Sequence, residues 1–180
     1  MIGWIGRLSR EKGPDLFVRA IALLGLPSAL AILIGDGPER DPTIALATEL
    51  GVHHQIRLLG QRPDAAALLG AFSCLVISSR SEGLPMVLWE AVASGTPVVA
   101  FSVGGIPEVL TADSAWLVRP ADTAGLAAAI AAALMSPDEA RARAGRAQAI
   151  LQERYGLAKW VHALEELYAG VIRERSAPRE

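Results

Sequence analysis

Short, unbroken apolar runs rich in branched side chains recur along the chain and alternate with stretches of helical period. Ala29 to Ile34 is one such run, stopped by Gly35-Asp36-Gly37-Pro38. Gln55 to Leu59 is the next, stopped at Gly60, and Leu75 to Ser78, Pro97 to Phe101 and Ala115 to Val118 continue the series. Continuous apolar runs, rather than apolar–polar alternation, predict strands covered on both faces and therefore a parallel sheet.

The segments between these runs carry helix punctuation. Gly13-Pro14 sets a proline at a first helical position, and Leu16, Phe17, Ala20, Ile21 and Leu24 follow on one face. Asp41-Pro42 opens a second helix that ends by Gly51, and Pro85 opens a third running through Trp89 to Gly95. Ser136-Pro137-Asp138-Glu139 reads as a capping box. From Asp122 onward the pattern is helical, ending in Leu157 to Ile172. Repeated strand–helix–strand units predict an α/β fold: a doubly wound, mostly parallel Rossmann-like sheet with helices on both faces and a C-terminal helical extension. Residues 1–175 are expected to form one unit and 176–180 a disordered tail.

Composition narrows the function. The 180 residues are 52% hydrophobic and 20% charged, which suits a packed core. A net charge of −2, with 17 basic residues spread along the chain, excludes the basic face that nucleic-acid binding needs. Cys74 is the only cysteine, so there is no internal disulfide, and it lies in an apolar run where a thiol acts as a small hydrophobe. The chain opens without a signal-like segment, and Leu126 to Met135 is half the length of a membrane span, which predicts a cytoplasmic domain. Lys12 and Lys159 are the only lysines; the arginine bias predicts a GC-rich, bacterial coding sequence.

Ligands of doubly wound sheets bind beyond the carboxyl ends of the strands, and three loops there carry unusual residues. In Gly6-Arg7-Leu8-Ser9-Arg10-Glu11-Lys12-Gly13, Arg7 and Lys12 are placed to converge on one anion, or else form an ordinary solvated loop. In the segment from Ser81 to Glu90, Gly83 allows a tight turn and Pro85 leaves the amides of Met86 and Val87 pointing out of a helix start, an anion site. Glu82 precedes that turn. Glu90 lies eight positions later, about two helical turns, so it returns to the same side and could accept hydrogen bonds from vicinal hydroxyls. Taken singly, Glu90 reads better as a solvated surface carboxylate, and Glu82 could be merely a cap. The third loop, from Ser102 to Glu108, has a glycine pair suited to close backbone approach, or to a plain strand-to-helix turn.

Together the loops resemble the C-terminal, donor-binding domains of GT-B-fold glycosyltransferases of family four, also called group 1. The strings that carry the resemblance are GRLSREKG, LIGDGP, LLGQ and SSRSEGLPMVLWEAVASGTPVVAFSVGGIPE, from about Gly3 to Leu117, with a looser helical match beyond. The resemblance implies that Arg7 and Lys12 hold the donor diphosphate and stabilise the departing nucleoside diphosphate. It implies that Glu82 contacts the donor sugar beside Gly83, that Met86 and Val87 offer amides to the phosphates, and that Glu90 takes the ribose hydroxyls. Gly60, Gln61 and Arg62 would border the base. It further implies retaining transfer with no cofactor or metal. The sequence has no aspartate-x-aspartate motif, and His53, His54 and His162 read as structural.

Full members of the family have a domain of similar size before this one. With only Met1 to Ile5 ahead of Gly6, the strand entering the first loop is expected to be truncated at best, and the chain to be a piece of a longer protein. The expected partners are a nucleotide-sugar donor, the missing N-terminal domain and, through it, an acceptor glycan or lipid. Isolated activity is expected to be near zero, and the full protein to sit in the cytoplasm or at the inner membrane face. The alternative is a non-catalytic interaction module docking through Trp160, Leu164, Leu167 and Tyr168 of the last helix. An epimerase of the same fold is disfavoured by the paired glutamates and the GRLSREKG loop.

Overall fold

The computed structural model describes residues 1–176, the side chains of 157, 158 and 173–176 excepted. The tail expected over 176–180 lies, past Ser176, outside the described residues. The strands are β1 (Ile2–Ile5), β2 (Ala31–Ile34), β3 (Ile56–Leu58), β4 (Cys74–Ile77), β5 (Val98–Phe101) and β6 (Trp116–Val118). All pair in parallel, in the order β3-β2-β1-β4-β5-β6. Every residue of β2, β4 and β5 is buried, which is why they read as apolar runs without alternation.

The helices are α1 (Pro14–Leu24), α2 (Arg40–Glu49), α3 (Met86–Ala93), α4 (Ile106–Val109), α5 (Thr123–Met135), α6 (Pro137–Tyr155) and α7 (Leu157–Ser176). The chain moves from β1 outward through β2 to β3, returns to β4, and then moves the other way through β5 to β6. Right-handed crossovers therefore put α1 and α2 on one face and α3 on the other. α5 then packs on α1, and α6 on α3. The predicted apolar face of α1 is the buried one, with Leu16, Phe17, Ala20 and Ile21 in the core and Leu24 packed at its edge.

The structure corrects two expectations. β1 is not truncated: it is four residues long, as β2 is, pairs with β2 from Ile2 to Ile5, and also pairs with β4. The capping box does not form, since the Ser136 side chain makes no cap hydrogen bond. Glu139 is instead drawn along α6 by Arg143 at 2.8 Å and Arg146 at 2.9 Å. A charged hydrogen bond from Arg146 together with the ion pair to Arg143 outweighs one bond to a backbone amide. No described helix is long and apolar enough to cross a membrane.

Candidate functional site

The chain leaves β1 toward β2 and leaves β4 toward β5, so the loops after these neighbouring strands diverge and open a crevice. The loop after β1 closes with a 3-10 turn, Arg10–Lys12, and Gly13 at φ 64°. A Cβ on Gly13 would lie 2.2 Å from the Ser78 carbonyl oxygen, so glycine is needed for both the left-handed backbone and the contact. The Trp4 indole donates to Ser78 Oγ at 3.0 Å, and that hydroxyl donates to the Gly13 carbonyl at 2.8 Å. This buried relay ties β1, β4 and the start of α1 together.

Arg80 makes a second tie. Its backbone N–H donates to Glu11 O at 2.7 Å and its Nη1 to Arg10 O at 2.8 Å, while the guanidinium forks the Asp15 carboxylate at 2.8 and 2.7 Å. Partial burial opposes the Asp15 charge, but the Arg80 hydrogen bond and charge, aided by backbone amides, outweigh it and hold the carboxyl below its ordinary value. The Lys12-bearing turn is thus strapped to the loop that carries Glu82.

Lys12 Nζ donates to both Glu82 oxygens, at 2.8 and 2.6 Å, and Ser79 Oγ donates to Glu82 Oε1 at 2.5 Å. The Glu82 side chain is 4% exposed and that of Lys12 28%. The chain then enters α3 with Pro85 extended before it and the Leu88 N–H bonded back to Pro85 O at 3.0 Å. The amides of Met86 and Val87, first in the helix, have no carbonyl a turn earlier to reach and lie at its positive end. Glu90 sits four residues after Met86, hence on the same side one turn deeper. The sequence reading placed it there by two helical turns; in fact an extended loop and a single turn do so. Lys12, Ser79, Glu82, Met86, Val87 and Glu90 border one cavity of about 290 Å³.

A second cavity, of about 420 Å³, adjoins the first at Ile5 and Gly6 and is bordered by Arg7, Asp36, Gln61 and Arg62. Arg7 and Lys12 therefore flank the β1 terminus on adjoining cavities rather than on one. Arg7 is exposed. The Arg62 guanidinium is taken by Asp64 at 2.8 and 2.7 Å, a hydrogen bond that raises the pKa of Arg62 and lowers that of Asp64. Gly60 borders this region through its carbonyl, which accepts from Gly35 N at 2.8 Å.

Gly83 does not play the part expected of it. Its φ is not left-handed, and a Cβ there would meet nothing within 4 Å. The demanding glycine is Gly104, at φ 53°, where a Cβ would lie 1.7 Å from the Glu82 carbonyl oxygen. Gly105 N donates to Gly83 O at 2.9 Å, so the third loop backs the second. Glu108 is exposed on α4. His53 and His54 are exposed in a 3-10 turn, and His162 lies 3.4 Å from Glu166 on α7. Among the described residues no group of three or more His, Cys, Asp and Glu side chains could hold a metal ion. Ser78, Ser79 and the Asp15–Arg80 pair escaped the sequence reading; their signal was a polar pair at the carboxyl end of a central strand.

A doubly wound parallel sheet whose switch-point crevice holds a buried ion pair beside an open helix start is the α/β class that the sequence predicted. The family model for glycosyl transferases group 1 matches residues 1–149, and the chain belongs to that family, as a C-terminal-type domain of it. It is 32% identical over 147 residues to N-acetyl-alpha-D-glucosaminyl L-malate synthase of Bacillus anthracis, covering 81% of this chain and 39% of that protein. It is 37% identical over 178 residues to D-inositol 3-phosphate glycosyltransferase 1 of Catenulispora acidiphila, covering 91% of this chain and 42% of that protein. Among solved structures, Anabaena HepE in complex with UDP superposes with a TM-score of 0.87 at 28% identity, over 94% of this chain and 48% of that one. HepE has also been solved with UDP-glucose. The chain thus spans about 40% of the length of the curated relatives it matches.

Proposed function

We propose that the chain is the donor-binding half of a retaining glycosyltransferase that moves a sugar from a nucleoside diphosphate-sugar to an acceptor hydroxyl. The observation that carries this reading is the shared cavity: an ammonium and an open helix start at one end, with Glu90 a turn deeper. Two phosphates suit the first pair and the vicinal hydroxyls of a ribose suit the carboxylate. The second cavity, with Arg7 and Arg62, lies where the base and the outer phosphate oxygens would reach. UDP in the HepE crystals supports uridine as the base.

As the bond from the sugar to the phosphate breaks, negative charge grows on the diphosphate, and Lys12, Arg7 and the α3 amides stabilise it. The acceptor oxygen attacks the face from which the diphosphate departs. Acceptor contacts come from the remaining part of the protein, and the 180-residue chain alone transfers nothing. No metal is needed in this scheme, and the protein works in the cytoplasm, at the inner membrane face where its acceptor is a lipid.

Titration calorimetry with UDP, GDP and ADP tests the reading. One of them binds, and Lys12→Ala or Glu90→Ala weakens it by about tenfold, the loss of one charged hydrogen-bonded contact. Absence of binding by all three at millimolar concentration refutes it.

One observation favours a second reading, that of a docking module. Trp160, Leu167 and Tyr168 on α7 are 61%, 60% and 64% exposed. Scattering that shows a concentration-dependent dimer, together with no nucleotide binding, would favour it.

A further inference from the structure

The ammonium that the proposed donor site needs is paired with a carboxylate of the same cavity. Both short hydrogen bonds from Lys12 Nζ go to the two oxygens of Glu82. That carboxylate is almost fully buried and finds one further partner, the Ser79 hydroxyl at 2.5 Å. The remaining cations near the crevice are committed or elsewhere: Arg80 is forked on Asp15, Arg62 on Asp64, and Arg7 borders the adjoining cavity. We propose that Glu82 sets the ligand preference of this site by holding Lys12, so that an intact nucleotide-sugar is accepted while a bare nucleoside diphosphate is opposed. The proposal rests on the donor-site reading above.

The physical case is a competition for one charge. A diphosphate at the α3 amides draws Lys12 toward itself and leaves Glu82 with Ser79 alone. An ion deprived of its partner in a buried site is strongly disfavoured. The abandoned carboxylate also faces the phosphate across a small, poorly screened cavity. A donor sugar changes the balance, because its hydroxyls donate to Glu82 and replace the hydrogen bonds that Lys12 withdraws. Loss of the sugar then restores the opposition. The same pair therefore admits the donor and helps to expel the product, a benefit wherever release of the diphosphate limits turnover.

The test is a double-mutant cycle on the 180-residue chain with UDP as the probe, read by calorimetry. Glu82→Gln keeps the shape and the acceptor for Ser79 but removes the charge; UDP is expected to bind about tenfold more tightly. In a Lys12→Ala background the same change is expected to gain no more than about threefold, since there is no longer an ammonium to release. Ser79→Ala removes the one partner that Glu82 keeps when Lys12 leaves, and should weaken UDP by about threefold. This arm keeps the proposal falsifiable if Glu82→Gln fails to fold. Unchanged or weaker UDP binding in Glu82→Gln, or unchanged or tighter binding in Ser79→Ala, overturns the proposal and leaves the donor site standing. An equal gain with and without Lys12 also overturns it, because simple repulsion would then suffice. If the unaltered chain binds no UDP while GDP or ADP binds, the cycle is run with that nucleotide and read in the same way. If none binds, the donor-site reading and this proposal fall together.

Discussion

Replacing Gly104 by alanine puts a methyl group where the Glu82 carbonyl oxygen already is, 1.7 Å from the new Cβ, on a backbone at φ 53°. The left-handed conformation alone costs a residue with a Cβ about 1 to 2 kcal/mol. The overlap is with backbone rather than with a flexible side-chain tip, so the loop before α3 must move by more than an ångström. That movement strains the hydrogen bond from Gly105 N to Gly83 O, worth about 1 kcal/mol. The sum is about 2 to 3 kcal/mol, which for a domain of this size lowers Tm by about 4 to 12 °C. Gly83→Ala, in the motif itself, meets nothing within 4 Å and should cost less than about 0.5 kcal/mol. Circular dichroism melts of the two variants measure the contrast, and UDP titration should show weaker binding in Gly104→Ala because the Met86 and Val87 amides at the start of α3 shift with the loop before them. Equal melting temperatures for the two variants, or a larger loss at Gly83, would refute the reasoning.

Three further outcomes are expected. Ser78→Ala leaves the buried Trp4 indole N–H without its acceptor and should cost about 1 to 3 kcal/mol in urea unfolding. Asp15→Asn should cost about 0.5 kcal/mol at neutral pH, the worth of a forked pair whose side chains are 34% and 32% exposed. Because Arg80 holds the folded carboxyl below its ordinary 3.8, that contribution is complete above this value and vanishes as the pH falls through the lower folded one. Urea midpoints of the two proteins should therefore converge in acid. Burial pushes the Cys74 thiol up to about 12, only slightly offset by the chain's amino terminus, so a thiol reagent at pH 8 should label it only in denaturant; prompt labelling of the native protein would contradict its packing.

The sheet was legible because its central strands are buried on both faces, so β2, β4 and β5 are unbroken apolar runs in the sequence. Their ends moved by one or two residues, as in Ala29 against Ala31, where packing rather than residue type decides. β1 was underrated because four residues at a chain start carry no flanking punctuation; its strand character comes from β2 and β4 on either side. The site was legible wherever it is local: Pro85 before two free amides, with Glu90 following. It was not legible where it depends on the crossover. Nothing in the sequence around Lys12 announces that Glu82, seventy positions on, takes both of its short hydrogen bonds. Nor does it show that Gly104, rather than Gly83, lets two loops touch. Arg7 and Lys12 look like a pair because they share a loop, yet the turn at Arg10–Lys12 sends them to adjoining cavities.

A crystal structure of the chain soaked with UDP tests the central claim most directly. The outer phosphate is expected within about 3 Å of the Met86 and Val87 amides, with Lys12 Nζ turned toward it and the ribose hydroxyls on Glu90. UDP bound away from the start of α3, or with its ribose out of reach of Glu90, would contradict it.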